Sequence, residues 1–315
     1  MPKISIIVPI NKCEEYIERC VANLMQQPLQ DIEFIFENDC TPDNSLEILK
    51  NVVKRYPLRK HQIKIIEHKK NRGITYSRKN GVLHASGDYI GWCDSDDWIE
   101  VDMFEKMYKA TDNGNIDIVI CDYKEHWSQK EKRIIIFPKY NTPQEYIENC
   151  HRSRCPSVLW NQIIKRDLYT KHIDNIVPVN YGEDTFILWH VYFYAKSTNH
   201  IPETLYNYNR YNIKSLTQNI DTTYEAWKKQ EENYKRITSL YYSNNGKKKF
   251  HKAINYMKFK SKYLYKAAFK NQRDFFYTFR ESSRDILHFP NMNFWEKWKT
   301  YISNNIYIIF KITSK

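Results

Sequence analysis

Glycine is scarce, 7 of 315 residues, and no glycine- or serine-rich stretch reads as a flexible linker. No apolar run approaches the roughly 20 residues of a membrane-spanning helix, so no transmembrane anchor is predicted. Met1 to Ile10 carries one lysine and then a short β-like run. The n-region, h-region and small-residue cleavage site of a signal peptide are missing, which predicts a cytoplasmic protein. Seven cysteines, at positions 13, 20, 40, 93, 121, 150 and 155, form no Cys-x-x-Cys pair. Their odd number and spacing predict reduced thiols, against a disulfide framework or a zinc site. There is no internal repeat.

Charge is present but uneven. Residues 221–315 hold 20 Lys/Arg and 8 Asp/Glu, a surplus of 12 positive charges, while residues 1–220 hold 29 of each sign. The asymmetry predicts a neutral body, residues 1–220, and a basic appendage, residues 221–315. Lys247 to Lys270 contains nine lysines and no acidic residue, with Phe250, Ile254, Tyr256, Met257, Phe259, Tyr263, Leu264 and Tyr265 interleaved. Phe294 to Ile312 adds Trp295, Trp298, Tyr301 and Phe310. Aromatic and lysine-rich helices of this kind suit an anionic membrane surface, which predicts a peripheral position on the inner face. They equally suit aromatic faces packed on the body with lysines in water.

The body alternates. Ile4 to Pro9 is an apolar run of the kind a buried parallel strand shows. Glu14 to Gln27 has apolar residues at 17, 20, 21, 24 and 25, an amphipathic helix. Glu33 to Phe36 is a strand, Leu46 to Tyr56 a helix behind the Asp43-Asn44-Ser45 cap, and Lys64 to Glu67 a strand. Thr75 to Ala85 is a helix and Tyr89 to Cys93 a strand. Asp117 to Cys121 and Arg133 to Phe137 are further strands. Later come a helix over Pro143 to Cys150, a strand at Ile163 to Arg166, a helix over Thr185 to Ala195 and a strand at Leu205 to Arg210. Strand-helix alternation predicts right-handed crossovers and a mostly parallel, Rossmann-like α/β sheet flanked by helices. Such sheets bind ligands beyond the carboxyl ends of their strands. Asn11, Asp39 and Asp94/Asp96 all fall at such ends.

The densest chemistry is Asp94-Ser95-Asp96-Asp97. If the strand continues through it, Asp94 and Asp96 point the same way and Ser95 the other. Two carboxylates on one side suit Mn²⁺ or Mg²⁺, whose remaining shell is water and substrate phosphate. Asp97 adds a ligand or caps a helix from Trp98 to Met107. A polar turn with a helix cap explains the same residues, so this stretch alone decides nothing.

Taken together the motifs resemble a known family. Pro9 and Asn11, Asn38-Asp39 with Asp43-Asn44-Ser45, Asn71-Arg72-Gly73 with Arg78-Asn80-Gly81, and Gly87-Asp88-Tyr89-Ile90 leading into Asp94-Ser95-Asp96-Asp97 look like family 2 glycosyltransferases of the GT-A fold. Trp160-Asn161, Glu183-Asp184 and Tyr208 to Thr217 are similar to that family's acceptor half. The resemblance spans roughly residues 3–217, with 1–125 as the nucleotide-sugar half and 126–220 as the acceptor half. Family members often carry two aspartates and then Gly-Ser where this chain has Asn38-Asp39-Cys40-Thr41, and an aromatic where it has Ile10.

The resemblance implies an inverting, metal-dependent hexosyl or N-acetylhexosaminyl transfer. The donor is a nucleotide diphosphate sugar, and the acceptor a hydroxyl of a glycan or lipid-linked glycan in surface polysaccharide synthesis. It implies Asp94 and Asp96 as ligands of Mn²⁺ or Mg²⁺. Pro9, Asn11, Asp39, Asn71, Gly73, Arg78, Asp94, Ser95 and Arg210 line the donor site. Trp160, Asn161 and Glu183 place the acceptor, and Asp184 is the base. Two other readings stay open. A haloacid dehalogenase-like phosphohydrolase has a strand ending in D-x-D, usually an early one. A basic adaptor would use the tail on nucleic acid, but leaves the carboxylates unexplained, so no nucleic-acid partner is expected.

Overall fold

Two wholly buried strands, β1 (Ile4–Ile10) and β2 (Ile32–Asn38), start the sheet of the computed structural model. The structure describes residues 1–128, 130–149, 157–243, 247–269, 274–275, 278–279 and 281–282. With every residue of both strands buried, helices must cover both faces. α1 (Ile17–Met25) buries Ile17, Cys20, Val21, Leu24 and Met25 along one stripe, the pattern read from sequence. α2 (Ser45–Lys54), β3 (Ile63–Glu67), α3 (Ile74–His84) and β4 (Tyr89–Trp92) follow. β1, β2, β3 and β4 all run parallel.

The second half turns some strands round. It comprises β5 (Trp98–Ile99), α4 (Met103–Lys109), β6 (Ile118–His126), β7 (Lys132–Ile135), α5 (Pro143–Asn149), β8 (Gln162–Lys165), α6 (Arg166–Thr170), α7 (Glu183–Tyr194) and β9 (Thr198–Asn209). The order across the sheet is β3-β2-β1-β4-β8-β6-β9-β5, with β7 on β6. β8 is antiparallel to both β4 and β6, β5 to β9, and β7 to β6, while β6 and β9 are parallel. The α/β sheet flanked by helices is as expected, but it is mixed: its first half is parallel, and four of the eight strand pairings among the described residues are antiparallel.

Register places the site. Ile10 pairs with Asn38, Asn38 with Glu67, and Ile7 with Trp92. The strand ends at Ile10, Asn38, Glu67 and Trp92 therefore share one edge, where Asn11, Asp39, His68 and Asp94 emerge. Full burial of Trp92 and Phe36 at that edge contributes about 1.5–3 kcal/mol per side chain. The structure differs from the sequence reading at Asp94 to Asp97. β4 stops at Trp92, and the Asp97 N–H donates to the Asp94 carbonyl at 3.0 Å, closing a turn. The carboxylates thus stand on a turn, so strand alternation does not set their directions. The next helix starts at Met103, too far on for Asp97 to cap.

The described chain divides into two compact units, Met1–Pro143 with Ser157–Ile220, and Gln144–Pro156 with Asp221–Lys315. The second holds α8 (Tyr224–Ser243) and α9 (Lys247–Leu264). Phe250, Ile254, Phe259 and Tyr265 are buried there, together with Trp227, Tyr234 and Tyr241 of α8. These aromatics form a core, the packed reading of the basic segment. Phe294 to Ile312 lies outside the described residues. No helix among the described residues is long and apolar enough to cross a membrane. Among them Cys13, Cys20, Cys40, Cys93 and Cys121 are free thiols.

Candidate active site

Arg78 organises the first cluster. It lies on α3, is 3% exposed, and reaches three carboxylates. Its Nη2 is 3.2 Å from Asp94 Oδ1 and 3.3 Å from Asp184 Oδ1, and its Nε is 3.2 Å from Glu183 Oε1. Burial alone would lower the guanidinium pKa, but Asp184, Asp94 and Glu183 together raise it. Burial raises the Asp184 carboxyl above its usual range. Arg78 opposes that rise, and Glu183 and Asp94 add to it. Three acids around one cation cannot all be neutralised, so the upward direction is the physical one. A buried carboxylate of raised basicity is suited to taking a proton.

Glu183 and Asp184 open α7, with Gly182 before them in the left-handed region at φ 75°. Acidic residues there agree with the helix dipole, yet neither caps the helix and both face Arg78. Asp184 Oδ2 also accepts the Leu159 N–H at 3.4 Å. α7 buries Phe186, Ile187, Leu188, Trp189, Val191 and Tyr192. That all-round burial fixes the helix and its acidic first turn.

The turn after β4 is held from β9. Asp97 is fully buried, accepting the Tyr206 O–H at 2.6 Å and the Asn209 N–H at 2.7 Å. The Tyr206 hydroxyl in turn accepts the Asp94 N–H at 3.1 Å. Asn212 Nδ2 donates to Asp96 Oδ2 at 2.7 Å. Burial and the neighbouring Asp94 push the Asp96 carboxyl up to about 6. Burial, then Asp96 and Asp94, raise Asp97 well above the ordinary value.

Among the described residues, no three His, Cys, Asp or Glu side chains stand together as a ready-made metal cluster. Asp94 disfavours the charge of Asp96, and the Asp94 side chain is 28% exposed. Two oxygen donors of like charge, Asp94 shared with Arg78 and Asp96 held by Asn212, fit Mn²⁺ or Mg²⁺ that completes its shell with water and phosphate. Asp97 is fully buried against Tyr206 and Asn209, so its part is to fix the turn that carries Asp94 and Asp96.

The second cluster sits at the ends of β2 and β3. Asp39 Oδ1 accepts the Arg72 N–H at 2.8 Å and faces His68 Nδ1 at 2.9 Å. Its Oδ2 accepts the Gly73 N–H at 2.8 Å. Gly73 has φ 85°, and a Cβ there would meet Asn180 Oδ1. Thr75 and Val179 exchange hydrogen bonds, tying the start of α3 to the segment before α7. Asp39 and the Glu183/Asp184 pair thus flank one helix.

Several expected residues stand differently. Pro9 is buried inside β1, and Asn11 donates to the Asp39 carbonyl at 3.2 Å. Asn71 is exposed in the loop before α3. Ser95 is buried and faces the Cys13 thiol. The Arg210 guanidinium pairs with Glu125 at 3.2 Å and lies over the Trp127 ring at 4.5 Å. Trp160, 3% exposed, stacks on Tyr206 at 4.3 Å. Asn161 is fully buried, donating to the Cys121 carbonyl at 2.8 Å. Trp160 therefore backs the β9 wall of the site, and Asn161 ties the same segment to β6. Sequence reasoning missed His68, Tyr206 and Asn212. His68 was findable, since it directly follows a strand end at the ligand edge.

Residues 5–133 match the sequence model of glycosyl transferase family 2. That segment belongs to family 2. An uncharacterized glycosyltransferase of Bacillus subtilis, EpsJ, is 30% identical over 230 residues, 69% of this chain and 64% of the relative. The matched part of the chain thus spans just under two thirds of that relative. Staphylococcus aureus TarS 1-349, solved in complex with UDP-GlcNAc, superposes with a TM-score of 0.72 at 16% identity, over 96% of this chain and 89% of that one. The mannosyltransferase PcManGT of Pyrobaculum calidifontis, in complex with GDP-Man and Mn²⁺, gives 0.54 at 11% identity, over 97% and 85%. The chain with its mixed sheet takes the GT-A fold.

Proposed function

We propose that the chain is an inverting glycosyltransferase moving a sugar from a nucleotide diphosphate sugar to a hydroxyl of a glycan or lipid-linked glycan. Surface polysaccharide assembly is the setting that fits. One observation carries this reading: Arg78 gathers Asp94 with Glu183 and Asp184, acids about ninety residues apart in sequence. A uridine donor is supported by TarS, a structural neighbour solved with UDP-GlcNAc. Mn²⁺ or Mg²⁺ held by Asp94 and Asp96 would neutralise charge on the leaving diphosphate.

The residues then divide the work. Asp39, with one acceptor position left on Oδ2, receives a base N–H or a ribose hydroxyl. Asp184 takes the proton of the acceptor hydroxyl on the face opposite the leaving group, which inversion requires. Such a base contributes about 10²–10⁴-fold. Glu183 orients the acceptor. Arg78 holds the carboxylates in register, a different task from gripping the diphosphate. Arg210 is the guanidinium with room to move, because its own side chain is 30% exposed and it lies over the exposed Trp127 ring. The basic second unit gives the protein a peripheral hold on an anionic membrane, where a lipid-linked acceptor is found.

The test uses Asp184→Asn and Asp96→Ala. Asp184→Asn should still bind UDP yet transfer at least a hundredfold more slowly. Asp96→Ala should lose Mn²⁺-stimulated turnover of the donor. Wild-type transfer by both variants would sink the assignment.

A further inference from the structure

His68 is buried between two carboxylates. Its Nδ1 is 2.9 Å from Asp39 Oδ1 and its Nε2 is 2.7 Å from Glu37 Oε2. Glu37 is fully buried, and Asn80 Nδ2 donates to both its oxygens at 3.1 and 2.9 Å. The His68 backbone is pinned as well, its N–H donating to the Asn38 carbonyl at 2.9 Å. The Tyr76 ring stands edge-on to the imidazole at 5.2 Å, and the Arg72 guanidinium covers Tyr76 at 3.3 Å. The imidazole therefore has one orientation and little water around it.

Carboxylate oxygens accept and do not donate, so a ring between two of them needs a proton toward each. A neutral imidazole supplies one, and burial, which raises the Glu37 carboxyl, favours the second on the Glu37 side. The outcome is a fixed Asp39. Its Oδ1 is filled by His68 and Arg72, and its Oδ2 by Gly73, leaving one open acceptor position on Oδ2.

We propose that His68 is a positioning residue for donor recognition, holding the Asp39 carboxylate so that its one open acceptor position meets the nucleoside of a nucleoside diphosphate. This rests on the reading of Asp39 as the nucleoside's partner. His68 touches no reacting atom, so it acts on donor affinity and leaves the transfer step alone.

Two substitutions separate positioning from mere packing. In His68→Asn the amide nitrogen takes the place of Nδ1 and keeps a donor toward Asp39. In His68→Gln it takes the place of Nε2, keeping Glu37 and losing Asp39. Both lose one hydrogen bond from the same buried spot, and thermal melting checks that both fold. UDP and GDP are titrated calorimetrically into full-length protein, and donor KM and kcat are measured. His68→Gln should raise Kd and KM about tenfold with kcat unchanged, the worth of one hydrogen bond to a charged group. His68→Asn should stay within about twofold of wild type. Equal behaviour of the two variants overturns the proposal. Asp39→Ala separates this from the underlying reading. If it binds nucleotide as wild type does, or wild type binds neither nucleotide, the reading of Asp39 itself falls. If it binds weakly while His68→Gln binds normally, only the role of His68 falls.

Discussion

Removing the Arg78 guanidinium leaves Asp94, Glu183 and Asp184 facing one another without a counter-charge. Breaking a buried pair from one side costs about 3–5 kcal/mol, because the orphaned charge stays behind. Arg78→Met should therefore lower the melting temperature clearly, and transfer should fall with it. Arg78→Lys should rescue little, since one ammonium has no planar fork to span three acids. Unchanged melting in Arg78→Met would show that the trio needs no cation, and in Arg78→Lys that an ammonium suffices. Tyr206 is a milder case. Its hydroxyl is bonded to both Asp97 and the Asp94 N–H. In Tyr206→Phe the buried Asp97 loses a donor, at about 1–3 kcal/mol. The turn carrying Asp94 and Asp96 then loosens, so Mn²⁺-stimulated donor turnover should drop more than nucleotide affinity. An equal drop in both would contradict a role confined to the turn. Such partnerships could not be read from the sequence. Arg78 and Asp184 stood out through the family resemblance, but their pairing depends on how α3 meets α7.

At the scale of elements, the legible parts were those with a strong period. β1, β2, α1 and α2 are apolar or amphipathic in the pattern their burial requires, and they lie where the spacing puts them. β5 is two residues long, too short to show a period, and its residues read as the start of a helix. β9 begins at Thr198, well before the apolar stretch at Leu205, because its first residues are polar and paired with β6. The reversed strand β8 could not be foreseen, since direction depends on partners. α9 carries a property that burial alone reveals. Lys262 is fully buried, its Nζ has no hydrogen-bond partner, and it lies 4.6 Å over the Phe275 ring. Burial lowers its pKa from 10.5 to about 8, against a smaller opposing pull from Glu281. A depressed lysine costs stability while it is charged in the fold, below about pH 8. The cost fades as pH rises from 8 to 10.5, where the unfolded chain still holds the proton. At pH 7 it amounts to roughly 3 kcal/mol. Lys262→Met should raise the melting temperature at pH 7, and its advantage should shrink toward pH 10.5. A gain independent of pH would mean that methionine merely packs better.

At the scale of the whole molecule, charge and chemistry are segregated. The carboxylates of the candidate site all lie within residues 1–220, where the two signs balance, and the surplus of 12 positive charges lies within 221–315. A lysine or arginine near an anionic bilayer contributes about 1 kcal/mol, and the attraction decays over a Debye length. The aromatics of α9 are occupied in the core of the second unit, so insertion of those side chains cannot drive binding. The hold on a membrane should then be electrostatic. Full-length protein should sediment with vesicles containing phosphatidylserine and not with pure phosphatidylcholine. Raising salt from 50 to 500 mM shrinks the Debye length from about 14 to 4 Å and should release it. Binding that ignores both salt and lipid charge would point instead to apolar insertion. No binding at low salt would leave the lysine surplus without a membrane role and place the acceptor in solution.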